Sequence, residues 1–141
     1  QMQFANGAIG TIVTSFDIWG AKLPFIEVHG TEGSLSVPDP NTFGGPVSLK
    51  VRNGDWTEVP LSHPYSDNTR GLGIAELAHS LQTRERPRTD GEIGYHVLEV
   101  MHGFLAAAAR RQTVSIDSTF QRPAPMSEQP LPMTNERVTH A

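Results

Sequence analysis

Four groups of residues have types and spacings that chemistry could use. Gly71-x-Gly73-x-x-Glu76 comes within one residue of the Gly-x-Gly-x-x-Gly turn. That turn passes backbone close to a pyrophosphate and aims it at a helix N-terminus. His96, Glu99 and His102 carry the donor atoms of a metal site. Arg84, Arg86 and Arg88 concentrate positive charge in "TRERPRTD". His63, Tyr65 and Arg70 place three hydrogen-bonding side chains in one polar stretch.

The context separates them. A dinucleotide turn follows a strand, whereas "SHPYSDNTR" precedes these glycines, with a proline and no apolar run. Glu76 replaces the third glycine, and a first-turn carboxylate would suit the helix dipole but repel phosphate. The motif therefore reads as a helix start, with Gly73 or Thr69 as the capping residue. His96, Glu99 and His102 lie at i, i+3 and i+6, spread over about 120° of helix surface. Zinc helices place ligands at i and i+4, so no metal is expected and Glu99 with His102 reads as a helix-surface pair. Glu85 and Asp90 dilute the arginines, which suits a solvated loop between helices. His63, Tyr65 and Arg70 remain as candidate substrate contacts, because loops carry binding residues more often than cores do. No catalytic constellation stands out, so no catalytic residue is assigned.

Composition narrows the classes. The 141 residues are one domain's worth, 37% hydrophobic and 18% charged, with a net charge of −4. An acidic balance disfavours nucleic acid as a partner. There are no cysteines, hence no disulfide framework, thiolate metal site or cysteine nucleophile. No apolar run approaches the roughly 18 residues of a membrane helix, so no membrane partner is expected. Gln1 enters directly into strand-like sequence without a signal-peptide pattern, which reads as a piece cut from a longer chain.

The elements that must position these residues come in two blocks. Asn6-Gly7 signals a two-residue hairpin turn with φ > 0 at both positions. Residues 8–19 are apolar on both parities: Ile12, Phe16 and Ile18 on one, Ile9, Val13 and Trp19 on the other. That pattern predicts a central strand covered on both faces. Strands follow over residues 23–29 and 34–37, then a loop over 38–46, then strands over 47–51 and 56–61. The short turns make an antiparallel meander. The period then changes to 3.6. Ile74, Leu77, Ala78 and Leu81 mark a first helix ending before Pro87. A second starts at the capping-box spacing Thr89-x-x-Glu92 and runs to Arg110-Arg111. Residues 114–116 read as a last strand, and the proline-rich residues 119–141 as an extended or disordered tail.

The fold class is α+β: an open antiparallel sheet with two helices packed on one face, within a domain of residues 1–118. Two helices span about 20 Å, against about 24–29 Å for five or six strands. They can cover one face and not both. Ile9, Val13 and Trp19 are then the expected oligomer interface, through the sheet face of a second copy.

The run "RGLGIAELAHSLQTRERPRTDGEIGYHVLEVMHGFLAAAARRQTVSIDSTFQRPAP" resembles the end of the glucose–fructose oxidoreductase, inositol dehydrogenase and MocA (Gfo/Idh/MocA) oxidoreductases. "FANGAIGTIVTSF" and "IEVHGTEGSLSV" resemble that family's upstream strand pair and glycine turn, so the resemblance covers residues 1 to about 125. It implies an NAD- or NADP-binding Rossmann domain in the parent protein and a C-terminal α+β domain here. It also implies hydride transfer at a sugar or cyclitol hydroxyl, and association through the sheet. The family's Rossmann glycines, Glu-Lys-Pro lysine and acid/base histidine have no matching residues in this chain. No catalytic or cofactor-binding residue is carried over, and no cofactor is expected to bind this stretch by itself.

The expectation is a C-terminal substrate and oligomerisation domain of an NAD(P)-dependent dehydrogenase, inactive alone. The alternative is a non-catalytic binding or assembly module with the same fold. The cytoplasm is the expected compartment, unless the parent carries a signal upstream.

Overall fold

In the computed structural model, which describes residues 1–67 and 70–129, a strand-rich first half is followed by two helices. A two-residue ladder joins β1 (Met2–Gln3) to β2 (Ile9–Gly10). The meander is β3 (Ile26–His29), β4 (Gly33–Val37), β5 (Val47–Val51) and β6 (Trp56–Val59), antiparallel and in chain order across the sheet. Helices α1 (Leu72–Thr83) and α2 (Gly91–Arg110) follow. The α+β class and the open antiparallel sheet are as expected.

Strand pairing sorts the meander into two faces. Val28 lies opposite Leu35, Leu35 opposite Leu49, and Leu49 opposite Thr57. Because side chains alternate along a strand, Ile26, Val37, Val47, Val51 and Val59 share that apolar face. Glu27, His29, Ser34, Ser36, Ser48, Lys50, Trp56 and Glu58 share the other. There His29 Nδ1 and Ser34 Oγ lie 2.9 Å apart across the β3–β4 pair. At Gly33 a Cβ would come within 2.4 Å of the Lys50 carbonyl oxygen, so the close approach of β4 to β5 requires glycine.

The first strands depart from expectation. Gly7 has φ +87, whereas Asn6 is not in the left-handed region. Gly7 N–H donates to Phe4 O and Phe4 N–H to Ala8 O, both at 2.9 Å, which makes a four-residue turn rather than a two-residue one. The strand predicted over 8–19 stops at Gly10. A strand persists only while a neighbour satisfies its backbone groups, and β1 offers two residues. Strand alternation therefore no longer places Val13 and Trp19 on one face with Ile9. All three are exposed, as are Ile12, Phe16 and Ile18.

Both helices start differently from the sequence reading. For α1 the capping residue is Gly71, not Gly73, and Thr69 lies outside the described residues. For α2 it is Asp90, not Thr89: its carboxylate accepts from Glu92 N–H and Ile93 N–H, each at 3.0 Å. Asp90 also receives Arg86, whose guanidinium bridges to Glu92. Arg86 is raised further above its ordinary range by these two carboxylates. The helix ends at Arg111, which takes the left-handed conformation at φ 53.

Residues 114–116 form no strand. The backbone donors after them go to α2 instead: Glu99 accepts from Asp117 N–H at 3.0 Å and from Ser118 N–H at 2.9 Å. Glu99 is thus not paired with His102. One turn earlier, His96 Nδ1 donates to the Ser118 carbonyl at 2.9 Å, and Phe120 packs against the His96 ring.

The expected cover of a sheet face by the helices differs most. β3 is exposed at all four residues, and no hydrophobic residue among those described is buried. Among the described residues the buried ones are Glu76 and Ser80. The chain exposes 12569 Å², against about 7200 Å² for a compact monomer of its mass. Much of the apolar sheet face, helix stripes and 8–19 segment therefore remains uncovered.

The carboxylates on α2 dictate an acid response. The Ser118 hydroxyl, then the Asp117 and Ser118 N–H groups, hold Glu99 below its ordinary 4.5. Arg86 and then the Ile93 N–H hold Asp90 below its ordinary 3.8. Groups lowered on folding stabilise above their unfolded values, and the gain is lost as pH falls through the folded ones. Helix content by circular dichroism should hold through neutral pH and decline below about pH 5, less steeply in Glu99→Gln. Helicity that rises on acidification would contradict this.

Candidate functional site

Members of three of the four sequence groups line two cavities beside the loops that precede α1 and α2: Glu76, Arg86 and Arg88 one, His63 and Tyr65 the other. His96 and Glu99 instead hold residues 117–120 against α2. Glu76, 8% exposed on the second turn of α1, accepts through Oε1 from Arg88 N–H and from Arg88 Nη1, each at 2.9 Å. Glu76 is therefore not a first-turn residue aimed at a ligand; its carboxylate is occupied by an arginine twelve residues on. The other edge of the guanidinium faces the C-terminal segment. Arg88 Nε donates to the Ala124 carbonyl and Nη2 to the Pro125 carbonyl, both at 3.2 Å.

The arginine cluster thus divides by role, where sequence suggested one solvated loop. Arg84 ends α1 in the left-handed conformation, Arg86 ties the start of α2, and Arg88 joins α1 to the C-terminal segment. A cavity of about 350 Å³ lies beside this junction, with Glu76, His79, Arg86, Arg88 and Arg122 among its walls. Its charges are of both signs and mostly paired with each other.

The candidate substrate residues lie next to it. His63 and Tyr65 line a second cavity of about 270 Å³ with Phe43, Leu61, Ser62 and Ser66. Arg70 is not in that wall. It stands 5.4 Å from the centre of the Phe43 ring and donates to Asn41 Oδ1 at 2.9 Å, so it supports the wall from behind. Asp39 prepares this support by accepting from Asn41 N–H at 2.9 Å at the start of the short turn Pro40–Thr42.

The polar tips of both rings are already engaged. His63 Nε2 lies 3.0 Å from the Met126 carbonyl, an acceptor only, so that nitrogen carries the proton. His63 Nδ1 is then the acceptor for the Ser62 hydroxyl, 2.7 Å away. Tyr65 donates its hydroxyl to the Gln129 carbonyl at 3.0 Å. His63, Tyr65, Glu76 and Arg88 stand out in the sequence, but neither the pairing of Glu76 with Arg88 nor the contacts of residues 123–129 does. The signal was a helix carboxylate and a loop arginine with a proline-bearing segment still to be placed.

Among the described residues neither cofactor nor metal geometry is assembled. β6 ends at Val59, and no strand follows it among the described residues before Gly71, so the strand–turn–helix form of a dinucleotide cradle is not made. Among the described residues no group of three His, Cys, Asp or Glu could hold a metal ion. None of the described helices is long and apolar enough to cross a membrane.

Removing the central carboxylate tests the junction. Glu76→Ala leaves Arg88 without its partner, and charge-assisted bonds of this kind contribute about 1.5–3 kcal/mol. A loss of that size is expected in urea unfolding, with a smaller one for Glu76→Gln, which keeps an acceptor. An unchanged midpoint in Glu76→Ala would show that the contact is not structural.

Comparison with known proteins agrees with this arrangement of sheet and helices. No curated protein and no solved structure matches the chain. Residues 1–116 match the family model described as "Oxidoreductase family, C-terminal alpha/beta domain". That span is most of the chain, and the protein belongs to the Gfo/Idh/MocA oxidoreductase family through its C-terminal domain.

Proposed function

We propose that this chain serves as the substrate and oligomerisation domain of an NAD(P)-dependent oxidoreductase acting on a sugar or cyclitol hydroxyl. The match of residues 1–116 to the family's C-terminal domain carries the reading. Hydride transfer is the chemistry the nicotinamide supplies when bound to such an enzyme. The residues of this chain do not fit that group: the glycines at 71 and 73 follow a loop, and Glu76 serves Arg88. No chemical step is therefore assigned to them, and by itself the chain is inactive.

Its own contribution is a wall. The cavity beside His63 and Tyr65 combines the Phe43 and Leu61 side chains with hydroxyls from Ser62 and Ser66. Such a mixture suits a polyol, whose C–H faces need apolar contact and whose hydroxyls need donors and acceptors. Cytoplasmic residence accords with a metabolic substrate of this class.

The uncovered apolar surface supports association. Phe16 and Trp19 are fully exposed, with Ile9 and Val13 above two-thirds. Apolar surface of this extent on a monomer is a liability that a partner relieves. That partner is a second copy, a nucleotide-binding domain of the same enzyme, or both.

Two measurements test the reading. Calorimetric titration with NAD and NADP, oxidised and reduced, is expected to show no saturable binding at millimolar cofactor, and a polyol panel no turnover. Saturable micromolar binding or NAD(P)-dependent turnover by this chain would overturn it. Light scattering should give a mass that rises with concentration, reduced by Val13→Lys with Trp19→Lys. A monomer at every concentration would remove the oligomer role.

A further inference from the structure

Residues 123–129 carry two prolines, which have no N–H to donate and favour an extended backbone with outward carbonyls. Such a segment is rich in acceptors and poor in donors. The surface it crosses has the opposite character. Arg88 reaches the carbonyls of Ala124 and Pro125, His63 that of Met126, and Tyr65 that of Gln129. All four contacts read backbone oxygen, and none reads a side chain of the segment.

The donors come from two loops, one before each helix, and are set in place by contacts outside the segment. Glu76 fixes the Arg88 guanidinium from its far edge. Ser62, bonded to Nδ1, leaves His63 Nε2–H pointing at Met126. Two of these donors, His63 and Tyr65, are also walls of the smaller cavity.

We propose that Arg88, His63 and Tyr65 form a carbonyl-reading groove for an extended proline-bearing peptide. Residues 123–129 occupy it as a strap, and a hydroxyl-bearing ligand reaches the tips of His63 and Tyr65 only when the strap lifts. This gating rests on the proposed role of that cavity as the polyol wall. The groove itself rests only on the four carbonyl contacts. Occupancy in cis keeps the polar tips satisfied until a ligand supplies replacement acceptors.

The test is the rate of carbethoxylation of His63 by diethyl pyrocarbonate in the full chain, read by peptide mass spectrometry against His102, which is exposed. His63 is expected to react at least fivefold more slowly. Tyr65→Phe keeps the ring and deletes only the hydroxyl that holds Gln129. It should speed His63 labelling about fivefold relative to His102, the effect of one ordinary hydrogen bond. A chain ending at Gln121, with helix content verified by circular dichroism, should give at least that increase.

Equal rates at His63 and His102 in the unaltered chain, or no change in either variant, would overturn the strap. The labelling reads the strap alone, whereas cofactor titration reads the oxidoreductase role, so each can fail without the other. With the strap supported, sorbitol or inositol should protect His63 from labelling in the chain ending at Gln121 and require a higher concentration to do so in the full chain. Protection at equal concentrations, or none in the shortened chain, would overturn the gating.

Discussion

The contact between Glu76 and Arg88 is the joint on which the second half of the chain depends. It links α1 to the loop before α2, and through the free edge of the guanidinium it reaches the C-terminal segment. A carboxylate in so buried a position is tolerated only if its oxygens find donors, and here one oxygen takes two from a single residue. Arg88 does what no lysine could, because its planar fork serves a carboxylate on one edge and two carbonyls on the other. The two buried residues among those described, Ser80 and Glu76, thus include one half of an ion pair and no aliphatic side chain.

That arrangement explains why the two halves differ in character. The meander is held by neighbouring strands exchanging backbone bonds in close register, which needs little from the rest of the chain. Its apolar face, running from Val28 through Leu35 to Leu49, is built to be covered and is only partly so. The helices are tied by polar contacts at their ends: Asp90 at the start of α2, Glu99 and His96 along it, Arg88 between the two. Apolar surface is thus left open beside well-satisfied polar groups. It accords with membership in a family whose model describes a C-terminal domain.

The same polar stitching places the candidate site. His63 and Tyr65 stand where the loop before α1, the short turn at Pro40–Thr42 and the C-terminal segment meet. Arg70 reaches that meeting point indirectly, through Asn41 and the face of Phe43. A cavity walled by loops can adapt to a ligand more readily than one walled by strands. It is also open to competition, since its polar tips already have partners in the chain itself. Binding there means exchanging one set of hydrogen bonds for another, so affinity depends on what is displaced as much as on what is gained.

The sequence by itself determined the elements whose bonds close over a few residues. Alternation over 47–51, the turn at Asn53-Gly54 and the 3.6-residue stripes of α1 and α2 were legible because hairpin and helix bonds join near neighbours. The family motifs were legible for the same reason, being local. Residues 8–19 and 114–116 have equally good local strand patterns, yet the first is a strand only at Ile9–Gly10 and the second is not one, because a strand also needs an edge to pair with. Only the tertiary structure decided that Glu76 answers Arg88 twelve residues away, that Glu99 answers Ser118 nineteen away, and that His63 answers Met126 sixty-three away. Those pairings depend on which surfaces meet once the chain has turned back on itself. A residue type states what a side chain can bond, and only the fold states what comes within 3 Å of it.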